Sequence, residues 1–171
     1  MKTFSDHDFQ AAAERWGANC GPWALAVARG IHISEVPRHM PDFAARGWTN
    51  PGMMERALAS AADGFELKRP MRHGDMFDKS KPCVVRIQWE GPWLNDGVNP
   101  KWAYTKTHWV ATWCVLAADA TFEVVSDCNT GMQWLSDWEK LIVPMVKNGI
   151  PRATGGWAPT HVYKVTERVR R

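Results

Sequence analysis

The sequence predicts an α+β fold, an N-terminal helical part packed against a mainly antiparallel β-sheet. Three observations predict it. Apolar residues at helical spacing, with helix-end signals, occupy the chain before residue 62. Runs rich in β-branched residues and bounded by Gly, Pro and Asp dominate from Pro82 onward. No internal repeat, low-complexity tract or Pro/Gly-rich linker divides the 171 residues, so one domain spanning 1–171 is expected.

Taken in order, Asn19-Cys20-Gly21-Pro22-Trp23-Ala24-Leu25-Ala26-Val27-Ala28-Arg29-Gly30 reads as the first helix, with proline near its first turn and glycine at its exit. A short second helix runs from about Ser34 to Met40, closed by Pro41. The third has Asn50 as cap and Pro51 at its first position, and Met53, Met54, Ala57, Leu58 and Ala61 give it a buried face. Pro82 to Trp89 is the first strand, ended by Gly91-Pro92. His108 to Leu116 and Phe122 to Ser126 are two more, joined through Ala117 to Thr121. Glu90 to Thr107, between the first two strands, is long for an irregular connection, the kind more often functional than a mere link. Ser136-Asp137-Trp138-Glu139 has capping-box spacing and opens a helix that Pro144 shortens or kinks. Gly155-Gly156 then turns the chain into a last strand, His161 to Val169.

Composition narrows the function classes. The 21 Lys and Arg against 18 Asp and Glu leave a net charge of +3, scattered along the chain, which gives no electrostatic case for nucleic acid. No apolar run is long enough to span a bilayer. Met1 to Gln10 lack the basic start and apolar stretch of a secretory signal, so a cytoplasmic protein with no membrane partner is expected. In such a compartment Cys20, Cys83, Cys114 and Cys128 are expected as free thiols.

One of those thiols has a chemical address. A thiol becomes a nucleophile when ionised, and a helix N-terminus favours the thiolate through its unpaired N–H groups and aligned dipoles. Cys20 sits there, whereas Cys83 and Cys114 fall inside apolar strands, where a small buried hydrophobe is the expectation. Among six histidines, His108 starts a strand that would hold it rigidly. A hairpin turning at Ala117-Ala118 sets Asp127 opposite His108, and a turn nearer Asp119 makes Asn129 the reserve third member. Either side chain would fix the imidazole tautomer and leave the other ring nitrogen for the thiol.

With these positions in hand, the chain resembles a papain-like cysteine peptidase, and in particular the bacteriocin-processing, C39-type branch. The matching residues are Asn19 to Ala26, similar to the family's nucleophile helix; Thr107-His108-Trp109-Val110, similar to its histidine strand; and Val124-Val125-Ser126-Asp127, similar to its strand ending in Asp. The resemblance implies a papain-like fold and a catalytic Cys20, His108 and Asp127 that cleave a peptide or isopeptide bond through an acyl-enzyme. The substrate implied is a peptide or protein, with no cofactor and no metal. The family places a glutamine amide six residues before the nucleophile to bind the oxyanion. Here that residue is Glu14, which leaves Gln10 and the backbone N–H of Cys20 as oxyanion candidates.

Two other functions share the same residues: a peptidoglycan amidase or endopeptidase of that superfamily, and a non-catalytic peptide- or protein-binding module, which Glu14 motivates. Zinc held by Cys20, His108, Asp127 and Cys128 is chemically possible, but no C-x-x-C pair supports it. Oligomeric state is left open.

Tryptophan is abnormally abundant, 11 of 171 residues against 2 Tyr and 6 Phe. Strand alternation turns Trp109 and Trp113 away from the His108 face and into the core. Trp134 and Trp138, four residues apart, suggest a shared buried face on a helix. Trp23, Trp93 and Trp102, beside the thiol or on the long connection, are the expected substrate-groove residues.

Overall fold

The helix expected at Asn19 forms. In a computed structural model of the chain, which describes residues 19–61, 64–68, 72–103 and 105–166, α1 spans Cys20–Arg29. The Asn19 side chain accepts from the Gly21 N–H, and Gly30, at φ 60°, returns its own N–H to the carbonyls of Ala26 and Val27. Gly21 to Ala28 are all buried, as a helix apolar on every side requires.

A 3₁₀ turn at Ile33–Glu35 leads into α2 (Val36–His39), followed by α3 (Phe43–Arg46) and α4 (Pro51–Ala61). Asn50 caps α4 by accepting from the Met53 N–H at 2.8 Å. The strands are β1 (Gly64–Leu67), β2 (Cys83–Trp89), β3 (Thr107–Ala117), β4 (Ala120–Asp127), β5 (Gly131–Trp134) and β6 (Trp157–Thr166). They form a six-stranded sheet in the order β1-β6-β2-β3-β4-β5, antiparallel at every pairing. The long connection contains a 3₁₀ turn, Pro92–Leu94, and α5 (Pro100–Ala103).

Both faces of the sheet are covered. On one, Trp23, Leu25, Met54 and Leu58 of α1 and α4 pack on Val84, Trp109, Ala111 and Tyr163. On the other, Trp138, Ile142 and Val146 of α6 (Leu135–Gly149) pack on Val85, Ile87, Val110, Val125 and Val162. This double cover is why β2 reads as a near-continuous apolar run with little alternation. Each large aliphatic side chain so buried contributes about 1.5–3 kcal/mol before chain entropy is set against it.

Several expectations are corrected. The β3–β4 hairpin turns at Ala118-Asp119, with Ala117 opposite Ala120 and Ala111 opposite Ser126, a register two residues from the expected one, so Asp127 is not directly across from His108. The capping box at Ser136 does not form. The helix starts two residues earlier, Trp134 stands at the cap without a side-chain bond, and Glu139 accepts from the Trp157 indole at 3.2 Å. Nor does Pro144 end α6. It lies exposed, and the helix runs on to Gly149. Trp134 is largely exposed while Trp138 is fully buried, so the two share no buried face. Nothing in the local pattern pointed to β1, β5 or α3. The last strand begins at Trp157, and the expected stretch 167–169 lies outside the described residues.

Candidate active site

Parity explains how Asp127 reaches His108 although the register differs from the expected one. Moving the turn from Ala117-Ala118 to Ala118-Asp119 slides β4 by two residues, and a slide of two preserves which side chains share a face. Asp127 therefore remains on the His108 face as a diagonal neighbour, within reach of a long imidazole. His108 Nε2 lies 2.9 Å from Asp127 Oδ2. The carboxylate is wholly buried, 0% exposed, and the imidazole side chain is 12% exposed.

Asp127 is held by more than the histidine. Its Oδ2 also accepts from Trp138 Nε1 at 2.8 Å, and its Oδ1 accepts from the Asn129 backbone N–H at 2.8 Å. Asn129 thus serves through its backbone, in an Asx-type turn, instead of as a reserve side chain. Burial alone would push the Asp127 carboxyl up; the charge of His108 and the hydrogen bonds from His108, Asn129 and Trp138 outweigh it and hold the group below the usual carboxylate range.

The imidazole has a second neighbour. With Nε2 committed to Asp127, Nδ1 is the nitrogen left for the Cys20 thiol, which lies close enough for its charge to act on the ring. Burial opposes the charged ring, but the charges of Asp127 and Cys20 and the hydrogen bond to Asp127 carry His108 well above its ordinary value of 6.5. α1 delivers Cys20 from one side of the sheet, and Asp127 is pinned on the side that α6 covers. Cys20, His108 and Asp127, three residues far apart in sequence, are brought together. Behind the imidazole stands an indole wall: Trp89, 6.4 Å from His108 between ring centroids, stacks on Trp138, which meets Trp157 edge-on at 5.3 Å.

All four cysteines are free, and they differ in surroundings. Cys20 is half-buried and opens on solvent. Burial pushes the Cys83 thiol up to about 12, and burial together with the Asp127 charge pushes Cys128 far up. Cys114, expected in the core, is only half-buried. Ligand atoms of His108, Asp127 and Cys128 fall within 4.8 Å of one another, and these types suit zinc. Both Asp127 oxygens, however, already accept hydrogen bonds and Cys128 favours its protonated form, so the group is satisfied as a hydrogen-bond cluster.

A cleft of about 500 Å³ opens beside Cys20, lined by Asn19, Trp48, Thr49, Asn50, Arg86, Thr105, Thr107 and Trp109. The groove expectation is corrected here. Trp23 is 0% exposed and its indole donates to Ser126 Oγ at 3.1 Å inside the core. Trp93 donates to the Trp89 carbonyl at 2.8 Å and packs on the α6-side core. Trp102 is 67% exposed but does not border the cleft. Trp48, 51% exposed, forms the lip instead. The end of the long connection does reach the cleft, through Thr105 and Thr107. Gln10 and Glu14 lie outside the described residues, and so does any contact of theirs with the oxyanion position.

Trp138, Arg86 and Trp48 escaped the sequence reading because their link to the site runs through other elements. Only the pairing of Asp127 with the N–H two residues on had a local signal. Compared with protein-family models, with curated proteins and with solved structures, the chain gives no match.

Proposed function

We propose that this chain is a thiol hydrolase that cleaves a peptide or isopeptide bond, with Cys20 as nucleophile, His108 as general acid and base, and Asp127 as the group that orients the imidazole, on a papain-like arrangement of nucleophile helix and antiparallel sheet. One observation carries the reading: the His108 imidazole is hydrogen-bonded to a buried, triply anchored carboxylate and lies near enough to Cys20, at the start of α1, for the charge of the thiol to act on it. A raised His108 is what a histidine that takes and returns the thiol proton needs.

In the reaction, Cys20 Sγ bonds to the amide carbonyl carbon as its proton passes to His108. The C–N bond breaks as His108 gives that proton to the leaving amine, and the acyl group remains as a thioester. Water then adds to the thioester carbon, His108 takes the water's proton, and the carboxylic acid departs as the thiol is restored. The Cys20 N–H, at the start of α1, is the backbone donor that would bind the oxyanion.

The test is selective alkylation near neutral pH followed by hydrolysis of a peptide digest. Iodoacetamide labels Cys20 first, the rate drops by roughly two orders of magnitude in His108→Ala, and new peptide termini appear with the wild-type chain and not with Cys20→Ala. Equal, slow labelling of all four thiols with no new termini would sink the reading.

A further inference from the structure

Five indoles of this protein serve the fold. Trp23, Trp93, Trp109, Trp138 and Trp157 are partly or wholly buried, and each donates Nε1–H to an acceptor inside the molecule. Trp48 differs on both counts. It is 51% exposed, and among the described residues its Nε1–H has no acceptor. A single exposed apolar side chain is ordinary on a protein surface. This one stands in the wall of the cleft that holds Cys20.

The backbone around Trp48 is held on both sides. Gly47, at φ 69°, caps α3 and turns the chain into it. Asn19 Nδ2 donates to the Gly47 carbonyl at 2.9 Å, and Trp109 Nε1 donates to the Thr49 carbonyl at 3.0 Å. Asn50 then caps α4. Trp48 is thus carried by a segment tied to the start of α1, to β3 and to α4, and a ring on a fixed backbone is a preorganised contact. The Arg46 guanidinium lies over one face of the ring, 5.7 Å from its centroid, which leaves the other face and the N–H edge for a ligand.

The rest of the wall narrows the ligand. Asn19, Thr49, Asn50, Thr105 and Thr107 are uncharged, and Trp109 adds a second indole. No acidic side chain stands among the described residues that line the cleft, so a cationic group finds no counter-charge there, and Arg46 beside the ring repels it. Resting on the proposed hydrolase reading, we infer that Trp48 is a specificity residue that packs a large apolar side chain of the substrate, aromatic before aliphatic, close to the scissile amide. Ring-on-ring contact adds to the apolar area covered, and the indole N–H donates to a substrate carbonyl. Trp48 takes no part in making or breaking bonds.

Two neutral alkylating reagents read this directly. N-methyl-iodoacetamide and N-phenethyl-iodoacetamide form the same Sγ–C bond as iodide leaves, and only the second carries an aromatic ring. The ratio of the second rate to the first at Cys20 is expected to exceed that of the same cysteine in the urea-unfolded chain by about tenfold. It falls to the unfolded value in Trp48→Ala and stays largely intact in Trp48→Phe. A native ratio equal to the unfolded one overturns the inference without any variant having to fold. In a peptide digest, Phe, Tyr, Trp and Leu are enriched at one position beside the new termini, and Trp48→Ala removes that enrichment through KM with kcat little changed. Cleavage with no apolar preference also overturns it. Should Cys20 prove unreactive to both reagents, the hydrolase reading fails by itself, and the subsite is judged in Cys20→Ala by calorimetric titration with acetyl-Gly-Phe-Gly-amide and acetyl-Gly-Gly-Gly-amide. Tighter binding of the first upholds the subsite, and equal binding rejects it.

Discussion

Asp127 shows how much one side chain can be asked to do. It accepts from an imidazole, an indole and a backbone N–H while wholly buried, and its charge raises the pKa of His108. The consequences run in opposite pH directions. His108, raised above its ordinary 6.5, adds stability that is complete below 6.5 and is lost as pH climbs through its folded value. Asp127, lowered from 3.8, adds stability that is complete above 3.8 and is lost as pH falls through its folded value. The pair therefore contributes most between 3.8 and 6.5. In an NMR titration Asp127→Asn is expected to move the His108 midpoint down toward its ordinary value, with a loss of about 1–3 kcal/mol in urea unfolding. A His108 midpoint unmoved by the substitution would show that Asp127 does not set it.

Gly21 is a second case. A Cβ there would lie 2.6 Å from Thr49 Cβ and 3.0 Å from Thr49 Cγ2, so the N-terminus of α1 can sit against the 48–50 segment only without a side chain. Gly21→Ala is expected to cost about 1–3 kcal/mol and to slow Cys20 alkylation by displacing the helix start. Gly21→Ala/Thr49→Gly recovers the labelling rate. A full-rate single variant would mean the contact yields freely.

At the scale of elements, α1 and α4 were legible because their signals are local: a capping asparagine, proline in the first turn, glycine at one exit and an apolar face. The β3–β4 hairpin was legible in part. Alternation assigned His108 and Asp127 to one face, but no residue near Ala117 marked the turn, so the register slid by two. The site survived because two is the side-chain period of a strand; a slide of one would have sent Asp127 to the α1 face. α6 shows a local rule overridden. Pro144 removes a backbone donor and crowds the carbonyl four residues back, yet burial of Trp138, Ile142 and Val146 carries the helix past it. Pro144→Ala is accordingly expected to stabilise the protein by at least about 1 kcal/mol, read as a higher Tm, with Cys20 alkylation unchanged. A lower Tm would show that the proline is needed for the shape of α6.

Across the whole molecule the tryptophan surplus has one explanation that no single tryptophan reveals. Indoles of Trp23, Trp93, Trp109, Trp138 and Trp157 each fill apolar space and donate Nε1–H to a named acceptor, Ser126, the Trp89 and Thr49 carbonyls, Asp127 and Glu139. They are struts that satisfy polar groups inside a core, which Phe could not do. The same core sorts the thiols. Mass-resolved labelling across a urea series should find Cys20 modified in the native chain, and Cys83 and Cys128 modified only as far-UV circular dichroism reports unfolding, because both are buried and pushed up. Native labelling of Cys128 as fast as Cys20 would contradict this packing.

Among the described residues no helix is long and apolar enough to cross a membrane, in keeping with the scattered charge of the sequence. What the sequence by itself determined is what depends on near neighbours: the helix ends, the strand alternation, and with them a thiol at a helix start and a histidine sharing a face with an acid. Only the tertiary structure decided the register, the indole that anchors Asp127 and the lip at Trp48. Those depend on which distant segments pack together, and that choice is made by the summed burial of two cores, which no local stretch of residues encodes.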